Sequence, residues 1–213
     1  MTGREKKDQR AETGAGEGAA PWDRKISFDA LRVRAQQLSL REQLQREHFL
    51  LERLNAASAR LIQAVEQSQV LEAISEIIGN LIGSEEVAIF QYRATDQTFS
   101  LAWSVGVEEE ILRQFALGAG QMGRAAHEGA SQFRDRRPAA PLLPCEKNLT
   151  ACVVLKLDRE VIAVIAILRL LPQKGGLEWA DLELLKFLEA YGAIAMKLQN
   201  LQKPADAMSF GQP

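Results

Sequence analysis

The residues able to do chemistry are few and scattered. Cys145 and Cys152 are the only cysteines of the 213-residue chain, and His48 and His127 the only histidines. A structural zinc site wants four nitrogen or sulfur ligands in paired spacing, so this inventory argues against one. A disulfide is not expected between the thiols of a cytosolic protein. Cys145 sits between Pro144 and Glu146 with no basic neighbour closer than Lys147, which gives little reason for a thiolate. His127 stands beside Glu128 without a nucleophile in the motif and reads as a solvent-facing helical residue. Arg134, Arg136 and Arg137 surround Asp135 and read as a solvated loop. No base, nucleophile and orienting group can be placed together, so the expectation is a chain that is not an enzyme, with no catalytic residue, metal or cofactor.

One motif has a phosphate-binding form. Gly118, Gly120 and Gly123 fit GxGxxG. That chemistry needs a strand entering the loop and a helix leaving it, inside a parallel βαβ unit, so that amides and helix dipole meet a pyrophosphate. Val107, Ile111 and Phe115 recur every four residues and predict a short helix leading in, so the glycines read as permitting a tight turn close to a sheet.

The whole-chain numbers exclude several partner classes. A formal charge of −2 supplies no concentrated positive field for nucleic acid or an anionic membrane. No apolar run reaches the roughly 20 residues of a membrane span, and residues 1–25 have no apolar signal core, so the expected location is the cytoplasm. Those first 25 residues carry six basic and five acidic side chains, four glycines and no Val, Ile or Leu. They are expected to be a disordered tail, as are residues 203–213.

The elements come next. Ser27 is a good N-cap, and from there to Glu66 the chain has no Gly or Pro. Val33, Leu40, Glu47, Leu54 and Leu61 fall at d of a heptad, with Gln37, Leu44, Leu51, Ser58 and Val65 at a. The spacing predicts a coiled-coil-like helix over 26–66, roughly 60 Å long, whose N-terminal half needs a partner chain. Ser68 can cap a second helix ended by Gly83. Val87–Tyr92 and Phe99–Val105 read as strands, the second with Phe99, Leu101, Trp103 and Val105 on one face. A short strand is expected near Ser131–Phe133, then an irregular loop to Asn148. Thr150–Leu157 and Glu160–Leu168 make a hairpin turning at Asp158-Arg159 without the usual glycine. Both faces of the second strand are apolar, so it belongs mid-sheet. A last helix runs to Leu201 with Leu184, Leu188, Tyr191, Ala195 and Leu198 at heptad spacing. The predicted dimer seam is thus Leu40, Leu44, Leu51, Leu54 and Leu61 with Leu184, Leu188 and Tyr191.

This order of elements resembles a GAF domain, and local sequences carry the resemblance. Gly118–Gly129 (GAGQMGRAAHEG) looks like the family's glycine loop and helix. Leu149–Leu168 (LTACVVLKLDREVIAVIAIL) resembles its last two strands, and Leu177–Leu201 its terminal helix. Glu178 stands where the family often has a Ser or Thr cap, and Ala163 where its last strand commonly has a glycine. The resemblance spans about residues 55–202 and implies an α/β (α+β) fold, a central antiparallel sheet of about five to six strands with helices on its faces, behind the long helix. It also implies dimerisation through the N- and C-terminal helices. The family's cyclic-nucleotide signature cannot be assembled here, its bilin-attaching Cys-His is absent since Glu146 follows Cys145, and its sulfoxide-reducing members use more cysteines. A pocket between sheet and loops remains, for which Phe90, Trp103, Met122, Phe133 and Arg134 are the candidate lining. The functional expectation is a non-catalytic signalling or scaffold homodimer acting on an unidentified protein partner, with a small-molecule sensor for a nucleotide or hydrophobic metabolite as the alternative.

Overall fold

A computed structural model describes residues 21–107, 113–133 and 142–202. The described residues fall into two units divided after Glu47. The expected tails lie outside them up to residue 20 and from residue 203, as do Ile111 and Arg134 with its neighbouring arginines.

Helix α1 runs Pro21–Gln63, five residues ahead of the expected start. Proline suits a first helical position, where its missing N–H would have had no partner. In the first unit every side chain from Phe28 to Glu47 is exposed.

The second unit opens with the end of α1. Helix α2 (Gln67–Glu76) continues into a π-helical turn, Ile77–Ile82. Its N-cap is Glu66, not Ser68: the Gln69 side chain accepts the amides of Val65 and Glu66 at 2.8 and 3.0 Å. Gly83 closes the turn where the sequence placed the helix end, in the left-handed conformation at φ 81°. Strands β1 (Ser84–Arg93), β2 (Thr98–Val105) and β3 (Gln114–Ala116) follow, then α3 (Gly120–Glu128), β4 (Gln132–Phe133) and a 3₁₀ turn, Pro144–Glu146. Strands β5 (Ala151–Leu157) and β6 (Glu160–Leu170) form the predicted hairpin, and Asp158 takes the left-handed turn position at φ 55°. Helix α4 (Trp179–Phe187), a π turn (Leu188–Gly192) and α5 (Ala193–Gln202) end the described chain.

The strands make one six-stranded antiparallel sheet in the order β3-β2-β1-β6-β5-β4. Alternation along β1, β5 and β6 divides the core between its faces. Val87, Ile89, Val153, Leu155, Ile165 and Ile167 face α2, α4 and α5, whereas Ala88, Phe90, Cys152, Val154, Val164 and Ala166 share a core with Met122, Ala125 and Ala126 of α3. Strand β6 is buried on both faces from Ile162 to Leu168, as expected.

Three expectations change. Phe115 belongs to β3, paired with Phe99, not to a helix, because its backbone continues the sheet beside β2. Strand β2 does not keep one face: Ile89 pairs with Trp103 but Phe90 with Leu101, so Ala102 is an extra residue. That bulge turns the strand over, leaving Phe99 and Leu101 in the α3 core and Trp103 in the other. Finally, much of the predicted seam is interior. Leu184 and Leu188 are fully buried and Leu61 is 8% exposed, all in the α2 side of the core, with Leu54 packed against it. Their heptad spacing serves the chain's own sheet. Leu40, Leu44, Leu51 and Tyr191 remain 55–59% exposed.

Candidate functional site

The expected ligand region lies under α3, where the described side chains pack against one another. Phe90 and Phe115 meet edge to face at 4.9 Å between centroids, and Phe99 stacks on Phe115 at 4.9 Å. Met122, fully buried, closes this cluster from α3. The bulge in β2 decides what the candidate lining can do. Phe90 and Met122 stand on one face, whereas Trp103 and Phe133 pack on the other, so these four do not line one pocket. Arg134 lies outside the described residues.

The glycine loop acquires a concrete reason. A strand, β3, leads into it, not the helix expected from the four-residue spacing, and its pairing with β2 is antiparallel, so no βαβ unit forms. Gly118 and Gly120 take φ 83° and 65°. A Cβ at Gly120 would lie 2.6 and 2.7 Å from the two carboxylate oxygens of Glu146. That carboxylate, 1% exposed, accepts the amide of Met122 at 2.6 Å through Oε1 and the amide of Leu143 at 2.8 Å through Oε2. The first turn of α3 is therefore capped by an anion from the chain itself, where the helix dipole favours one. Sequence reasoning passed over Glu146. The available signal was Pro144-x-Glu146, a proline opening a turn with a carboxylate at its third position.

The cysteines flank this carboxylate and are poor nucleophiles. Burial pushes the Cys152 thiol up, and the Glu146 charge adds to it. Cys145 is half-buried and is likewise raised, first by burial and then by Glu146. Among the described residues no group of three or more His, Cys, Asp or Glu side chains is placed to hold a metal.

A second polar centre, also absent from the sequence reading, lies on the opposite face. Asp181, 1% exposed, binds the Arg53 guanidinium at 2.7 Å through Oδ1 and the Lys174 ammonium at 2.6 Å through Oδ2. Its Oδ2 also accepts the Glu178 amide at 2.8 Å, which caps α4. Arg53 and Lys174 donate in turn to the carbonyls of Leu81 and Ile82 at the end of the π turn. Burial alone would raise the Asp181 carboxyl, but the hydrogen bonds from Lys174, Arg53 and the Glu178 amide, with the charge of Lys174, outweigh it and hold it below the usual aspartate range. The triad ties the end of α1 to α4.

Beside it opens a cleft of about 750 Å³, lined by Phe133, Thr150, Leu168, Lys174, Leu177 and Leu182 among others. Among its described lining residues, Lys174 is committed to Asp181 and Arg169 to Glu86 at 2.8 Å, and the Thr150 hydroxyl donates to the Leu168 carbonyl.

Solved structures have a similar fold. The GAF domain of a phosphoenolpyruvate-protein phosphotransferase from Coxiella burnetii superposes with a TM-score of 0.61 at 12% identity, over 72% of this chain and 95% of its own. The fold is that of a GAF domain. A methyl-accepting chemotaxis protein fragment (TM-score 0.57, 17% identity, 69% of this chain and 98% of that one) has a similar structure. So does a free methionine-R-sulfoxide reductase from Neisseria meningitidis, solved with its substrate (0.58, 16%, 71% and 90%). No protein-family model matches the sequence, and no curated protein matches it. No described helix is long and apolar enough to cross a membrane. Within this GAF-like fold, then, the described residues under α3 include Phe90, Phe99, Phe115 and Met122, and the start of α3 holds Glu146.

Proposed function

We propose that this GAF domain is a non-catalytic signalling or scaffold module of the cytoplasm that works as a homodimer through protein–protein contacts. The observation that carries the reading is a contrast. The interior under α3 is occupied by the chain's own aromatic rings, Met122 and the Glu146 carboxylate, while Leu40, Leu44 and Leu51 stand exposed in a row on α1. Large exposed aliphatic side chains repeated at four and seven residues are what a partner helix covers. The similarity to a chemotaxis protein agrees with a signalling role. The similarity to a reductase means that the fold alone does not exclude catalysis. The raised thiols of Cys145 and Cys152, and the absence of a third cysteine, speak against that chemistry here.

Sedimentation equilibrium of the full chain tests the reading. A dimer mass is expected, falling to the monomer in the Leu44→Asp, Leu51→Asp double variant, which would bury charge in the contact. A concentration-independent monomer of the parent chain overturns it. The sensor reading draws on the cleft beside Lys174. Native mass spectrometry of freshly purified protein, and thermal shift with cyclic nucleotides, are expected to show no bound small molecule. A retained ligand would place sensing first.

A further inference from the structure

We infer that two copies of the first unit pair in parallel and in register along α1, with Asp29 of each arm set against Arg34 of the other. The inference rests on the homodimer proposed above and adds its direction. With Val33 and Leu40 at d, the a positions are Ala30, Gln37 and Leu44, and the flanking positions are Asp29, Gln36 and Gln43 at g and Arg34 and Arg41 at e.

Two observations make this row, and not another, the contact. Val33, Leu40 and Leu44 are 52–56% exposed, so the apolar row faces no element of its own unit. A shallow depression on the same helix is lined by Asp29, Ala30, Val33, Arg34 and Gln37. Its last four members are the a, d, e and following a residues that together form the hole receiving a knob from a facing helix. The helix carries another exposed row, Phe28, Leu31, Ala35 and Leu38, but it gives way to Glu42 and Gln45 and does not continue, whereas Val33 and Leu40 lead on to Leu44.

Charge decides the direction. In a parallel pair each g residue meets the e residue five positions on in the partner. Asp29 then meets Arg34, an opposite-charge contact made twice, and Gln36 meets Arg41 at no electrostatic cost. In an antiparallel pair e faces e, so the Arg34 and Arg41 row of one arm lies against the same row of the other. Like charges in that position disfavour the arrangement.

Two experiments on the full chain carrying Cys145→Ser test this. Oxidative cross-linking of Leu44→Cys is expected to give covalent dimer, because two a residues of one layer adjoin across the seam, while Glu42→Cys, on the outer surface, gives none. An antiparallel pair sets a against d, so it would instead leave Leu44→Cys uncross-linked and join Leu44→Cys to Val33→Cys in a mixture. Arg34→Glu moves affinity in opposite directions in the two geometries. In the parallel pair it sets a carboxylate at position 34 against Asp29 and weakens the dimer at least about threefold. In the antiparallel pair it sets that carboxylate against Arg41 and tightens the dimer. Tightening, or cross-linking only in the mixture of the two cysteine variants, overturns the direction while leaving the dimer standing. A monomeric parent chain in sedimentation removes the dimer itself, so the two failures are distinct.

Discussion

Replacing Asp181 by Asn should cost the second unit about 3 kcal/mol or somewhat more. Arg53 and Asp181 retain side-chain exposures of only 8% and 2%, so solvent does little to screen their pairing. Breaking a buried ion pair from one side costs about 3–5 kcal/mol, since the remaining charge stays desolvated. Lys174, more exposed at 18%, can turn toward water and relieve part of the loss, which favours the lower end. For a unit of this size about 3 kcal/mol lowers Tm by roughly 6–12 °C. Urea unfolding followed by tryptophan fluorescence, to which half-buried Trp103 and exposed Trp179 of this unit contribute, measures the difference. The pH dependence has a definite sign. Because the folded carboxyl is held below the usual range, its stabilisation is complete above about pH 4–5 and is lost as pH falls through the lower folded value. The gap between parent and Asp181→Asn should therefore be constant near neutrality and shrink once pH drops below about 4. Combining Arg53→Met, Lys174→Met and Asp181→Leu should recover more stability than Asp181→Asn retains, since no unpaired charge is left behind. A loss under about 1 kcal/mol, or a gap that stays flat into acid, would refute the reasoning.

Other substitutions separate the filled interior from the exposed row. Glu146→Ala leaves the amides of Met122 and Leu143 without their acceptor and should cost about 2 kcal/mol or more in urea unfolding, with Glu146→Gln recovering part. Met122→Ala should cost about 2–5 kcal/mol and leave a dry cavity beside Phe90 and Phe115. Xenon or benzene should then raise the Tm of that variant and not of the parent. Leu184→Asp should unfold the second unit, by circular dichroism and by loss of the native tryptophan signal, because its side chain is fully buried. Leu44→Asp, on an exposed position, should leave that unit's stability within about 0.5 kcal/mol.

The sheet was legible because its chemistry is local. The alternating and doubly apolar runs at Val87–Tyr92, Thr150–Leu157 and Glu160–Leu168 became β1, β5 and β6 in the expected antiparallel order. Gly83 ended its helix where a left-handed residue was needed. What stayed hidden depends on partners distant in sequence. Glu146 reaches an amide 24 residues away, and Asp181 a guanidinium 128 residues away, so neither carries a mark in its own segment beyond a plain carboxylate. The bulge at Ala102 is similarly silent: alternation continues through Phe99, Leu101, Trp103 and Val105 in the sequence, although the backbone turns over between the second and third. That one extra residue moved Trp103 and separated the proposed pocket lining onto two faces.

The heptad reading failed in part for a related reason, and the failure sharpens the dimer argument. Apolar residues at four and three residue intervals mark any helix with one buried stripe, whether the sheet beneath it or a second chain does the burying. Periodicity gives the stripe and leaves its partner open. On α4 and the turn after it the partner is the sheet, and Leu184 and Leu188 are fully buried there. On α1 the stripe divides. Leu61 belongs to the domain core, Leu54 packs against it, and Arg53 beside them is bound to Asp181, so these members of the stripe are already satisfied, whereas Leu51 stays exposed. Val33, Leu40 and Leu44 precede them, exposed over half their surface, and the proposed parallel copy would set its Arg34 against Asp29. Substitution of the core members should therefore change stability without selectively changing mass in solution, and substitution of the exposed members should do the reverse. A Leu44→Asp chain that stayed dimeric would leave the exposed row without a role and return the search to the outer face of α5.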